Sequence, residues 1–312
     1  MPAVPSSLLE PVWVQFQALL PPRPRYDPSH PLGCHRRRID DRIVFEHLID
    51  ALVYGCGYER IATAACSDAT MRRRLAEWAA AGIGQQLHRI VLAGYDRIVG
   101  LVLSDIIVDG CRTKHIGGGL LAGRNPVDRG KGGLNRSVVT DITGIILAIV
   151  PAAGNRHDSP LLAPTLDTAR AATAGIDWPT HITVHLDAGY NSTTTTTLLA
   201  ERGWHYDIAG TDRNPTTTPN TDPTPGDPPP TPVTPTAKPR HHYGRRWTCE
   251  RSHAWMNNYG KLRRITDHNP THILFYLYLA AALVNTRSLI RETRDTHHMT
   301  THQNTRRLKH TY

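Results

Sequence analysis

Between residues 212 and 239 the chain has almost nothing with which to build a core: ten of the 28 residues are Pro and eight are Thr. Proline brings no backbone donor and fixes its own φ, so so dense a run can sit neither inside a helix nor in a central strand. It is expected to be an extended, solvated linker or surface loop. Any core must therefore come from the segments on either side. After it comes a basic block, then a helix expected over about Thr271 to Arg291, with Ile273, Leu277, Leu279, Leu283 and Val284 apolar, which closes the core. The His-, Thr- and Arg-rich tail, 293–312, is expected to be disordered and basic.

The remaining composition sustains a folded chain. Apolar residues are 39% of 312 and charged residues 20%, and the length suits about two domains. Lys+Arg number 36 against 27 Asp+Glu, a net charge of +9 before 18 histidines are considered. That balance points to a polyanion as partner, most often nucleic acid. Five widely spaced cysteines with no C-x-x-C pair read as reduced thiols, not as a disulfide framework or a zinc ribbon. No apolar run approaches the ~20 residues of a membrane span. Met1 to Pro11 lacks a signal-peptide pattern, and there is no P-loop motif. A cytoplasmic protein with no membrane partner is expected.

Residues 12 to 100 read as helical. Ile43, Val44, Leu48, Leu52 and Val53 recur at helical spacing until Gly55 and Gly57. A short segment, Glu59 to Ala65, follows. Ser67 and Asp68 then offer an N-cap to a helix carrying Met71, Leu75 and Trp78 at i, i+4 and i+7. Helix, short helix, turn and helix outline a helix-turn-helix, with Arg72, Arg73 and Arg74 on the last helix where phosphates or base edges are within reach. A plain helical bundle with a solvated basic face fits the same pattern.

From Ser104 the texture changes. Asp105 to Asp109, Ser137 to Thr140, Ile145 to Val150, Ile182 to Leu186 and His205 to Ala209 read as strands, with a turn at Asp141–Gly144. Ser159 to Ala174, with Asp158 as N-cap, and Thr193 to Arg202 read as helices. A meander followed by strands alternating with helices predicts an α/β layer on a mixed sheet. The Gly-rich, basic stretch 116–133 is either a mobile connection or a loop that touches phosphates.

Three acids stand out. Asp109 and Asp187 each end a strand-like run, at the carboxyl edge where ligands gather in α/β sheets. Glu250 is the only acid among seven Lys and Arg between Arg240 and Arg264. Singly, each fits an ordinary role: a turn cap for the aspartates, an ion pair with Arg246 or Arg251 for the glutamate. Together, three hard oxygen ligands suit Mg²⁺, and on a basic protein the matching substrate is a phosphodiester. Cys249 and His253, spaced i, i+4, lack the two further ligands that zinc needs. Trp255 is expected in the core.

The blocks Val108-Asp109-Gly110-Cys111, Asn125-Pro126-Val127-Asp128-Arg129-Gly130-Lys131, Gly154-Asn155-Arg156-His157-Asp158-Ser159, His185-Leu186-Asp187-Ala188-Gly189-Tyr190 and Tyr243-x-x-Arg246-x-x-x-Glu250, in this order, resemble the DDE transposases of bacterial insertion sequences. The group is the one with a Tyr-Arg-Glu-Lys signature, insertion-sequence families four and five. The resemblance implies an RNase H-like mixed-sheet catalytic domain over 101–292, interrupted at 212–239 and preceded by a helical, helix-turn-helix-like DNA-binding domain over 1–100. It implies that Asp109, Asp187 and Glu250 are catalytic and hold two Mg²⁺ ions, Mn²⁺ substituting. Tyr243, Arg246, Arg251, Lys261, Arg263 and Arg264, with Arg72, Arg73 and Arg74, would contact DNA.

The implied reaction is phosphoryl transfer at the terminal inverted repeats of the element, by hydrolysis to a 3′-OH and then strand transfer into target DNA. A homo-oligomer on paired ends in the bacterial cytoplasm, associated with the nucleoid, would carry it out. The chain departs from the family pattern in three places: the Lys would fall seven residues after Glu250, where Asn257 stands and Lys261, Arg263 or Arg264 would take its phosphate contact; the Pro/Thr-rich stretch at 212–239 is longer than a strand-to-helix connection needs; and the N-terminal segment is only loosely like the family's helical domain. The other readings are a non-catalytic DNA-binding protein derived from a decayed or domesticated transposase, and a general nuclease of the same fold.

Overall fold

A computed structural model describes residues 3–22, 29, 38–209 and 246–308, with side chains through Asp295. The Pro/Thr-rich stretch at 212–239 and Tyr243 lie outside the described residues. Among the described residues five helices come first: α1 (Ser6–Ala18), α2 (Asp41–Tyr54), α3 (Tyr58–Ile61), α4 (Asp68–Ala80) and α5 (Ile83–Ile98). The expected stops operate as read. Gly55 ends α2 in the left-handed region at φ 68°, and the Ser67 hydroxyl accepts from the Thr70 N–H at the start of α4.

Strands β1 (Asp105–His115), β2 (Gly123–Arg124), β3 (Gly132–Asp141) and β4 (Ile146–Ala153) follow, then α6 (Leu162–Ala172), β5 (Thr183–Leu186), α7 (Thr193–Glu201) and β6 (His205–Ile208). The last elements are α8 (Trp247–Asn257), α9 (Gly260–Arg263), β7 (Arg264–Ile265) and α10 (Pro270–Leu308). The sheet runs β2-β3-β1-β5-β6, with β4 on β3 and β7 on β1. β3 pairs antiparallel with β1 and β4, whereas β5, β6 and β7 join in parallel. An antiparallel meander extended by parallel strands through helical crossovers is the RNase H-like mixed sheet.

Both sheet faces are covered. Ile106, Val108, Val139 and Leu147 pack under α6 with Leu162, Leu166 and Ala169. The opposite face, through Leu134, Val138, Ile146 and Ile149, joins a core with α10 and the N-terminal helices. Phe16 touches Phe45, Trp78 and Phe275 with ring centroids 4.6, 5.1 and 6.3 Å away. The helices of 1–100 thus share their core with α10 and the sheet. Helix α10 is long and apolar enough to cross a membrane by length and composition over Pro270–Asp295, yet most of that window is buried in the fold.

Three sequence expectations are corrected. Asp109 does not end a strand: β1 continues six residues further because Gly110 to Lys114 keep pairing with Ser137 to Gly133. Gly110 is an in-strand glycine, required because a Cβ there would stand only 2.2 Å from Asp158 Oδ1. Asp158 does not cap the helix at Ser159; its Oδ1 instead accepts from Asn135 Nδ2 at 2.7 Å. The tail expected to be disordered after Thr293 continues α10 to Leu308, since extending a helix from a packed stem adds one hydrogen bond per residue without a new nucleus. Residues 309–312 lie outside the described residues.

Candidate functional site

The site is assembled where β1, the end of β5 and the start of α8 meet. Ile106 and Val108 alternate into the core under α6, so Asp109 faces the other side of β1, which α8 covers. Its Oδ1 accepts the Gly110 N–H at 2.9 Å, and its Oδ2 stands 3.8 Å from His253 Nε2 on α8. The side chain is 19% exposed. Burial raises its carboxyl from the ordinary 3.8 to about 6, with Asp187 and Glu250 pushing the same way against the Gly110 N–H and the Arg246 charge. His253, by burial and by the nearby Arg136 charge, is pushed down to about 3 and is neutral.

Asp187 follows β5 directly. Its Oδ1 accepts the Ala188 N–H at 2.6 Å and an Arg246 Nη1–H at 3.2 Å. Arg246 immediately precedes α8, and Glu250 lies in its first turn, exposed, where a carboxylate is favoured by the helix dipole. The acids of β1, β5 and α8 are thereby brought into electrostatic contact, with Arg246 the cation among them. Among the described residues, no three His, Cys, Asp or Glu side chains stand together closely enough to grip one ion.

Two further groups stand by these acids, Tyr190, to which the sequence reading gave no role, and Asp158, which it took only for a helix cap. Tyr190, at the end of the turn that opens with Asp187, is 1% exposed, and Asp158 and Asp109 both act on its phenol, which burial pushes far up and keeps neutral. Asp158 lies against Gly110, accepts from Asn135 and faces Arg112 Nη2 at 3.5 Å. Both residues stood in motif blocks, but nothing local marked them as neighbours of Asp109.

The proposed cationic contacts divide. Arg72 and Arg73 are exposed on α4, although Arg72 leans on the Tyr58 ring at 5.0 Å and pairs with Asp68 at 3.5 Å. Arg74 is not available to DNA: it is 2% exposed and its Nε lies 3.2 Å from the buried Asp41. Lys261 is likewise buried, 2.9 Å from Asp267 and over the rings of Tyr58 and Tyr276. The periodicity of α4 puts Arg74 beside Leu75 and Trp78 on the core side, and the α9 turn tucks Lys261 inward. Arg251 is half-buried, its guanidinium 4.6 Å from both Trp247 and Trp255 and its Nη2 donating to the Thr143 carbonyl.

Arg263 and Arg264 are exposed. Pairing of β7 with β1 sets Arg264 beside Lys114, while Arg124 on β2 and Lys131 flank the glycines at the start of β3. One rim of the sheet thus collects bases that are far apart in sequence. Cys249 and His253 approach to 3.9 Å, but both are buried, and burial pushes the Cys249 thiol up, away from the thiolate that zinc binds. Trp255 packs against the core only partly buried.

The transposase DDE domain family matches residues 104–285, more than half of the chain. The family described as "Putative transposase of IS4/5 family" matches residues 8–88. A curated relative, the "Putative transposase for insertion sequence element IS402" of Burkholderia cepacia, is 27% identical over 45% of this chain and 57% of its own length. The chain thus spans little more than half of that relative. Among solved structures, the catalytic domain of the Mos1 mariner transposase is similar at 12% identity, over 39% of this chain and 57% of that one, with a TM-score of 0.25. The Mos1 paired-end complex with the left transposon end is 12% identical over 65% and 67%, again at 0.25. That overlay is too loose to bear on this chain. The DDE match spans the sheet, the three acids and α8, and the IS4/5 match spans the N-terminal helices: over more than half of its length the chain matches, and so belongs to, the transposase DDE domain family.

Proposed function

We propose that the chain is a transposase that cuts and joins the ends of its own insertion sequence by metal-dependent phosphoryl transfer at Asp109, Asp187 and Glu250. The observation that carries the reading is the mostly buried Asp109 carboxyl, raised to about 6 by burial first and then by the charges of Asp187 and Glu250. Carboxylates held together against their own repulsion suit hard divalent cations. Asp109, Asp187 and Glu250 would together hold two Mg²⁺, or Mn²⁺, ions, Asp109 sharing with each of the other two. The ions would supply activation of water and neutralisation of the scissile phosphate.

The chain's own groups position the rest. The Gly110 and Ala188 N–H groups fix the Asp109 and Asp187 carboxylates. Arg246, already at the site, can fork onto phosphate oxygens. Water attacks phosphorus, the bond to the 3′ oxygen breaks and a 3′-OH is released. That 3′-OH then attacks a target phosphate and displaces its 3′ oxygen. Duplex DNA, both terminal repeats and target, would be gripped by Arg263, Arg264, Lys114, Arg124 and Lys131 along the sheet rim, by Arg73 on α4, and by Tyr243. Assembly as a homo-oligomer on paired ends, at the nucleoid in the cytoplasm, belongs to the same reading.

The test incubates purified protein and Asp109→Asn with the duplex that flanks the gene, with and without Mg²⁺. Metal-dependent nicking at the element end that the variant lacks is the expected result. Specific binding without nicking, equal in both proteins, would leave a DNA-binding protein and no enzyme.

A further inference from the structure

Arg136 is fully buried on β3, directly opposite Cys111 of β1 and one face-step from the Val138–Asp109 pair. Its Nη2 donates to Asn257 Oδ1 at 2.6 Å and to the His253 carbonyl at 3.4 Å, and reaches Cys111 Sγ at 3.4 Å. Asn257 Nδ2 turns back to the same sulfur at 3.7 Å. Among the described residues no carboxylate lies within ion-pair distance of this guanidinium, and its Nε and Nη1 have no hydrogen-bond partner. A buried, unneutralised cation is costly to a fold. What it joins is specific: two strands to two points one turn apart on α8. His253 is the α8 residue that faces Asp109, and Glu250 lies one turn earlier on the same helix.

We propose that Arg136 is a positioning residue, which docks α8 on the sheet and so sets the spacing of Glu250 from Asp109, and that Asn257 is its matched acceptor, not a scar of decay. The inference rests on the transposase reading above. A lysine at 257, as the signature would have it, offers no acceptor to Nη2 and brings a second cation against a guanidinium that cannot reach water. The chamber beneath α8 takes one cation, and in this chain β3 supplies it.

Four variants test this in the full-length protein: Asn257→Lys, Arg136→Met, Arg136→Lys and the double Arg136→Met/Asn257→Lys. Two readouts are taken, Mn²⁺ binding by calorimetry without DNA and Mg²⁺-dependent nicking. Asn257→Lys, at a partly buried position at the helix end, tests the idea even where Arg136→Met fails to fold. Asn257→Lys is expected to weaken Mn²⁺ binding and to lower nicking by tenfold or more. The double variant should recover several-fold over Asn257→Lys, and Arg136→Lys should lie between wild type and Arg136→Met. Nicking that rises in Asn257→Lys, or Mn²⁺ affinity unchanged in every variant, overturns the proposal. Shifted Mn²⁺ binding in a protein that nicks nothing would instead overturn the transposase reading and leave the positioning role standing.

Discussion

Replacing Asp109 by Asn should make the metal-free protein more stable, although it removes the centre of the site. Folding raises this carboxyl from 3.8 to about 6, first by burial and then by its acidic neighbours. At 1.36 kcal/mol per pH unit, keeping it ionised in the fold costs about 3 kcal/mol. Between about pH 4 and pH 6 the folded chain retains a proton that the unfolded chain has already lost. Stability from this group is therefore present at low pH and disappears as pH rises through about 6. Asparagine carries no charge, and its side-chain oxygen can keep the Gly110 N–H. Urea unfolding without divalent cations should show the variant about 3 kcal/mol more stable at pH 8, with the difference shrinking towards zero at pH 4. Saturating Mg²⁺ should narrow the difference at pH 8 by binding the folded wild type. A variant less stable than wild type at pH 8, or a difference independent of pH, would refute the reasoning.

Gly110→Ala places a methyl 2.2 Å from Asp158 Oδ1, so Asp158 or β1 must move; about 1–3 kcal/mol of stability and most nicking should be lost, and equal activity would show that Asp158 yields freely. Arg74→Gln leaves Asp41 buried without that partner and should cost about 3–5 kcal/mol in thermal or urea unfolding, whereas exposed Arg73→Gln should stay within about 0.5 kcal/mol of wild type and weaken DNA binding instead. On the sheet rim, Lys114→Gln, Arg124→Gln and Arg264→Gln should each reduce the slope of log K against log salt for duplex binding by about 0.9 if each meets one phosphate. Unchanged slopes in all three would remove the rim from the DNA path.

Much of this architecture could be read locally. Ser67 before Asp68, and Gly55 after Val53 and Tyr54, are chemical punctuation that acts wherever the chain goes, and α2 and α4 start and stop there. The apolar run Ile106-Ile107-Val108 placed the first acid on a strand, and the order of the motif blocks tied it to Asp187 and Glu250. The errors share one cause. Asp109 looked like a strand end, Asp158 like a helix cap, and Lys261 and Arg74 like free cations, because in each case the deciding partner is remote: β3 for the strand beyond Asp109, Asn135 for Asp158, Asp267 and Tyr276 for Lys261, Asp41 for Arg74.

Element type follows from backbone preference and the spacing of apolar residues, which are properties of neighbours along the chain. The protonation of Asp109, the burial of Arg136 against Asn257 and the gathering of Lys114, Arg124 and Arg264 on one rim depend on which strands pair and which helix covers them. Charges and hydrogen bonds act through space, and only the folded sheet brings residues a hundred or more positions apart within their range.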